Sequence, residues 1–167
     1  MPSDRRLSRR VLASLLLLAT AHVLRAQSAV TSARPVLFVC EHGTVRSLIA
    51  RLEFDRYARH VGLRMPAESR GTQPDSALPA WMAIALARDS ISIGIWRPQR
   101  LLPADLMHAA IVVSFDVPDS ATALTHVPRQ QWNGLPSVSR NYAEGRDAIR
   151  ARVHRLVDSL RSAQPPR

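Results

Sequence analysis

Cys40, Arg46 and Ser47 are the residues of this 167-residue chain whose types and spacing allow chemistry in common. Glu41-His42-Gly43-Thr44-Val45 separate the thiol from the guanidinium. A turn of that length between a strand and a helix can point several successive N–H groups into one hollow. The helix start adds a favourable dipole, so the hollow suits an oxyanion such as phosphate. Arg46 contributes a fork of donors matched to two phosphate oxygens. The same positive surroundings stabilise a thiolate, so one set of groups prepares the nucleophile and holds the substrate. Gly43 fits a closed loop because it accepts positive φ. Ser47 offers a hydroxyl to the sulfur and favours the helix start. Cys40 and Arg46 are therefore the candidate catalytic groups. Glu41, His42, Gly43, Thr44, Val45, Arg46 and Ser47 form the candidate phosphate-binding loop.

The elements that must position this turn are legible on either side of it. Val36 to Val39 is a continuous apolar, β-branched-rich run, the pattern of a buried parallel strand. Ser47 opens a helical pattern through Leu48, Ile49, Leu52, Phe54 and Tyr57 that closes near Gly62. Pro66 to Thr72 reads as a short strand entering a turn, and Pro79 to Arg88 as a second helix. Residues 91–96 alternate apolar and small, which predicts a short extended segment. Pro103 to Met107 reads as a helical turn leading to a central strand over Ala110 to Phe115. Thr125 to Trp132 holds a last short strand, and Asp147 to Leu160 is an amphipathic helix with Ile149, Val153, Leu156, Val157 and Leu160 on one side. Strands alternating with helices imply an α/β fold with a parallel sheet covered on both faces, and ligands at the C-terminal ends of its strands. Cys40 lies at one such end and Asp116 follows another.

Composition sets the boundaries. The length suits one domain. A hydrophobic content of 46% describes a folding chain and not a disordered one. Arg5, Arg6, Arg9 and Arg10 precede the apolar run Val11 to Ala21, and Ala26 and Ala29 are candidate cleavage positions. Residues 1–26 therefore read as an export signal, with the general export route and the twin-arginine route both open, and the expected destination is the periplasm. An uncleaved signal would instead act as a membrane anchor. Residues 27–34 read as a flexible lead-in, 35–162 as the domain and 163–167 as a tail. The formal charge is +10, and loss of residues 1–26 removes five arginines and Asp4 to leave +6. Such a balance favours anionic ligands. The arginines are scattered and the aromatic residues do not alternate with them, so nucleic acid is not expected as a partner. A single cysteine excludes an intramolecular disulfide and a multi-cysteine zinc site.

The stretch Cys40 to Ser47, C-x5-R-S after a VLFV strand, resembles the low-molecular-weight protein tyrosine phosphatase and arsenate reductase family. Arg70-Gly71-Thr72 resembles that family's Ser-Ala-Gly-Thr turn, with Arg70 in place of alanine. Arg97 to Leu106 resembles the segment before its fourth strand, and the likeness covers roughly residues 35–160. The resemblance implies a three-layer sandwich with a four-stranded parallel sheet. It also implies a reaction in which Cys40 attacks phosphorus to give a cysteinyl-phosphate. Arg46 and the N–H groups of residues 41–46 would stabilise the transition state, and water would release phosphate without metal or cofactor. The implied partner is a phosphorylated small molecule or a phosphoprotein, phosphotyrosine among the options, for which Trp96, Trp132 and Tyr142 are candidate rim aromatics.

Two departures qualify that reading. The family places an aspartate before a proline in a late loop as the proton donor. Here Leu135 precedes Pro136, and no carboxylate lies from Gln131 to Ser139. Asp116 and His42 are the alternative candidates for the acid, and Asn133 can bind substrate or water but is not an acid. His42 and Gly43 also stand where the family often has Gly and Asn, so the loop lacks the asparagine that braces it elsewhere. A phosphatase, an oxyanion-binding protein of little or no turnover, and an arsenate reductase using an external thiol are the three resulting expectations. The thioredoxin-linked kind of reductase needs cysteines this chain does not have.

Overall fold

The computed structural model describes residues 33–123 and 126–163. The expected export signal (1–26), most of the lead-in (27–34) and the end of the tail (163–167) lie outside the described residues. Among the described residues four strands and four helices follow in the order β1 (Val36–Cys40), α1 (Arg46–Val61), β2 (Ala67–Gly71), α2 (Ala80–Arg88), α3 (Pro103–His108), β3 (Ile111–Ser114), β4 (Arg129–Gln131) and α4 (Tyr142–Ser162). A 3-10 turn, Asp119–Thr122, follows β3. The sheet order is β2-β1-β3-β4 and every pairing is parallel.

β1 is buried along its whole length because it is flanked on both sides and covered on both faces. Its alternate residues divide between two cores. Val36, Phe38 and Cys40 join Leu48, Phe54, Met82, Leu86, Ile149, Val153 and Val157, so α1, α2 and α4 cover one face. Leu37 and Val39 join Leu106, Ala109, Val112, Val117 and Val127 on the other. The period of two in a strand makes this partition unavoidable once both faces are covered. The result is the expected α/β three-layer sandwich on a four-stranded parallel sheet.

Local chemistry ends and starts the helices. Gly62 at φ 77° closes α1, and the N–H of Leu63 donates to the Ala58 carbonyl at 2.8 Å. α4 begins five residues before the expected Asp147. Its cap is Asn141, whose side chain accepts the Glu144 N–H at 3.3 Å. The expected extended segment over 91–96 joins no strand. Positive φ at Ser90 and Gly94 (59° and 55°) turns the chain at both points, and Ile95 is left fully exposed. Arg34, at the end of the expected lead-in, donates to the carbonyls of Met107 (3.0 Å) and His108 (3.2 Å).

Polar ties at Glu53, Asp89 and Tyr57, whose hydroxyl donates to Asp158 at 3.1 Å, hold α4 to the rest of the domain. Glu53 of α1 is 2% exposed and bonds Arg56 at 2.8 Å and Arg150 of α4 at 3.2 Å. Asp89, just after α2, accepts from Arg146 at 2.7 Å and from Tyr142 at 2.7 Å. Burial pushes the Asp89 carboxyl up, but the bonds from Arg146 and Tyr142 outweigh it and hold the group below its ordinary value of 3.8. Glu53→Ala leaves two arginines without their shared carboxylate. It should cost about 2 kcal/mol in urea unfolding, less than a fully buried pair because both arginines reach water. Asp89 favours the folded state above the ordinary carboxylate value, and that contribution disappears as pH falls through the lowered one. Acid unfolding of Asp89→Asn should therefore show a shallower loss of stability below pH 3.8 than the native chain.

Candidate active site

The turn after β1 is fixed by main-chain bonds that continue the β1–β2 pairing past its end. The N–H groups of Thr72, Gln73 and Asp75 donate to the carbonyls of Cys40 (3.0 Å), Glu41 (2.8 Å) and His42 (3.1 Å). Three successive carbonyls are thereby directed toward the segment after β2. The N–H of Gly43 donates to Cys40 Sγ at 3.2 Å. Those of His42, Thr44, Val45, Arg46 and Ser47 meet no acceptor among the described residues. These unpaired donors stand beside the start of α1, where the peptide dipoles add to them.

The close approach depends on two glycines. Gly43 has φ 71°, and a side chain there would also stand 3.0 Å from the Gly71 nitrogen. A Cβ on Gly71 would lie 2.9 Å from the Glu41 oxygen and the Gly43 nitrogen. The family's asparagine and this chain's glycine are the two residue types that best accept the left-handed backbone, which explains the exchange at position 43.

Cys40 is 6% exposed and forms part of the wall of a cleft of about 270 Å³. Ser47 Oγ lies 3.0 Å from its sulfur, as the sequence suggested. Arg46 also faces the cleft and pairs through one terminal nitrogen, Nη1, with Asp116 Oδ2. Its Nε and second terminal nitrogen meet no partner among the described residues. That edge carries two parallel donors, the geometry that matches two oxygens of a tetrahedral anion.

The remaining expected residues are placed as follows. Thr44 is fully buried, with its hydroxyl on Asp75 Oδ2 at 2.6 Å, and belongs to the loop's support more than to its cavity. Val45 and Glu41 line the cleft, and Glu41 is exposed. His42 is half exposed at the rim, with Nδ1 3.3 Å from Asp75 Oδ1 and Nε2 3.7 Å from Glu41 Oε2. Asp116 lines the cleft, as its place after β3 implied, at φ 48°. Its Oδ1 accepts the Gly134 N–H at 3.1 Å, and its own N–H donates to Asn133 Oδ1 at 3.1 Å. Each carboxylate oxygen thus has one protein partner, and the residue latches the 133–134 turn to Arg46. Asn133 serves that latch and does not line the cleft.

The late loop reaches the cleft through Ser137, Val138 and Ser139, not through Leu135. This wall lies close to α4 because Gly145 has no side chain; a Cβ there would stand 2.8 Å from Val138 Cα. Trp132 is buried against Phe115, with ring centroids 5.5 Å apart, and Tyr142 is turned to Asp89. With Trp96 also absent from the lining, none of the three expected rim aromatics faces the cleft. Sequence reasoning missed Asp75, which carries no motif and meets the loop only in three dimensions. Among the described residues no group of three or more His, Cys, Asp or Glu side chains is placed to hold a metal ion.

A thiol, a guanidinium with an unpartnered edge and a run of unpaired N–H groups thus meet at the strand ends of a parallel α/β sheet. Residues 35–133 match the family described as low molecular weight phosphotyrosine protein phosphatase, and the chain belongs to that family. Among solved structures it is similar to the thioredoxin-dependent arsenate reductase of Corynebacterium glutamicum, with TM-score 0.68, 23% identity, 92% of this chain and 76% of that one covered. It is also similar to SP-PTP, a low molecular weight protein tyrosine phosphatase from Streptococcus pyogenes, with TM-score 0.64, 16% identity and coverage of 76% and 93%. The YwlE arginine phosphatase from Geobacillus stearothermophilus is a third, with TM-score 0.61, 17% identity and coverage of 78% and 95%. At these identities the likeness concerns the fold. No curated protein matches the chain.

The glycine contact gives a direct test of the loop's anchorage. Gly71→Ala forces the Cys40 turn away from β2 and should cost about 1–3 kcal/mol in denaturant unfolding. It should also weaken the protection that inorganic phosphate gives Cys40 against alkylation.

Proposed function

We propose that this protein is a cysteine-dependent phosphate monoester hydrolase working through a cysteinyl-phosphate. The observation that carries the reading is the setting of the sulfur: 3.2 Å from the Gly43 N–H, 3.0 Å from Ser47 Oγ and in one cleft with Arg46. In the first step Cys40 Sγ forms a bond to phosphorus and the P–O bond to the leaving group breaks. The free edge of Arg46 and the unpaired N–H groups face the charge that builds on the phosphoryl oxygens. In the second step water attacks phosphorus, the S–P bond breaks, and phosphate leaves with the thiolate restored.

The wall formed by Ser137, Val138 and Ser139 offers hydroxyls and no carboxyl, and each oxygen of Asp116 has one protein partner. The late loop therefore supplies no proton donor of its own, and protonation of the leaving group falls to Asp116 or His42, which line the cleft. A positioned acid contributes about 10²–10⁴-fold, and the substrates that depend on it least are those whose leaving oxygen is stable as an anion, aryl phosphates among them. The same wall favours a second reading, an oxyanion-binding protein with little or no turnover. Arsenate reduction would need an external thiol, because Cys40 has no partner cysteine in the chain. We place the protein outside the cytoplasm, with residues 1–26 as its export signal and a phosphorylated small molecule or phosphoprotein as its substrate.

Para-nitrophenyl phosphate separates the readings. The mature protein should release nitrophenol, and Cys40→Ser should abolish the release. Protection of Cys40 by phosphate or vanadate without turnover would establish the binding protein instead. Failure of either anion to protect Cys40 would overturn the oxyanion site itself.

A further inference from the structure

We propose that Asp75 is the positioning residue of the Cys40 loop, holding its N–H groups on target through Thr44 and His42. The proposal rests on the reading of that loop as an oxyanion site and names what keeps it in shape.

The loop has an unusual weakness. Its middle residue, Gly43, has no side chain to bond across the turn and the most permissive backbone of any residue. Within residues 41–45 the one side-chain contact is the 3.7 Å approach of His42 to Glu41, on the solvent side. Beyond the main-chain bonds from Thr72 and Gln73, the side-chain brace comes from outside the loop and from one residue. Asp75 Oδ2 accepts the hydroxyl of Thr44 at 2.6 Å, Oδ1 lies 3.3 Å from His42 Nδ1, and the Asp75 N–H donates to the His42 carbonyl at 3.1 Å. Two hydrogen bonds and one close approach from Asp75 therefore hold the residues on either side of Gly43.

The Thr44 contact carries the most weight. Thr44 is fully buried, so its hydroxyl must find an acceptor within the protein, and the carboxylate of Asp75 is that acceptor. A hydrogen bond to an ionised acceptor is short and strong, and it fixes Thr44 in one orientation. The peptide units on either side of Thr44 carry two of the unpaired N–H groups, those of Thr44 and Val45. Rotation of Thr44 would swing both away from the cleft. Asp75 touches neither Cys40 nor the cleft, so it acts through the loop and not on the anion.

The experiment compares Asp75→Ala, Asp75→Asn and Thr44→Val in the full domain, with folding checked by thermal melting. The first readout is the inorganic phosphate concentration that half-protects Cys40 from iodoacetamide. Asp75→Ala and Thr44→Val should each raise it about tenfold or more, the factor that goes with losing one charge-assisted hydrogen bond. Asp75→Asn keeps an acceptor for Thr44 and should restore most of the protection. The proposal is overturned if Asp75→Ala protects like the native protein, or if Asp75→Asn is as poor as Asp75→Ala. The alkylation rate of Cys40 without any anion is the second readout, and the same ordering is expected there. A native protein that phosphate does not protect sinks the oxyanion reading alone, because the second readout still decides the brace. Should Asp75→Ala fail to fold, Thr44→Val against Thr44→Ser tests the same bond, and equal behaviour of the two would refute it.

Discussion

Everything at the site depends on where three carbonyl groups go. Those of Cys40, Glu41 and His42 accept hydrogen bonds from the segment just past β2. A peptide unit has two polar ends, and committing one end to a neighbour fixes where the other points. The cleft is thus a by-product of the chain's need to satisfy its backbone beyond the last sheet residue. The sheet order serves the same end: β1 is central, β2 supplies the donors on one side, and β3 brings Asp116 up on the other.

The hydrophobic layers explain why this arrangement is stiff. Phe38 of β1 touches Phe54, Phe115 and Trp132, with ring centroids between 6.0 and 6.5 Å apart. These rings come from β1, α1 and the segments that follow β3 and β4, so one aromatic cluster ties together the strand ends that converge on the cleft. Truncating such a ring would be felt through the cavity it leaves as well as the contacts it loses. Sequence periodicity marks each of these residues as apolar but does not reveal that they meet.

The strands, the helix after Cys40 and the turn that carries Cys40 were legible because each rests on a local pattern. A VLFV run can only be a buried strand or part of a buried helix, and the turn residues after it decide the matter. Gly62 as a helix stop is an equally local signal, whereas the Asn141 cap that starts α4 is missed by a reading that begins the helix at Asp147. Segment 91–96 misled because alternation alone does not provide a neighbouring strand, and Ser90 and Gly94 bend the chain out of reach of one. The site's supports were not legible for a different reason. Asp75 and Asn133 act on residues 31 and 17 positions away, and Gly145 acts on a loop outside its own helix; nothing in their immediate neighbours distinguishes them from ordinary loop or helix residues. The same holds for the late loop: the residues that face the cleft are set by how Val138 packs on Gly145, which shifts the wall beyond the proline that the sequence singled out.

The pairing of Arg46 with Asp116 changes what kind of receptor this cleft is. Its fixed charges are one guanidinium against the carboxylates of Glu41 and Asp116. The chain as a whole is strongly basic, yet the mouth of this cleft is not. The attraction that remains comes from aimed N–H dipoles and the start of α1, and these fall away within about one helical turn. A field of that reach does not gather anions from solution in the way a positively charged funnel does. On the proposed reading the site selects at contact: an oxyanion would have to arrive by diffusion or be delivered by the rest of its own molecule before the loop could hold it.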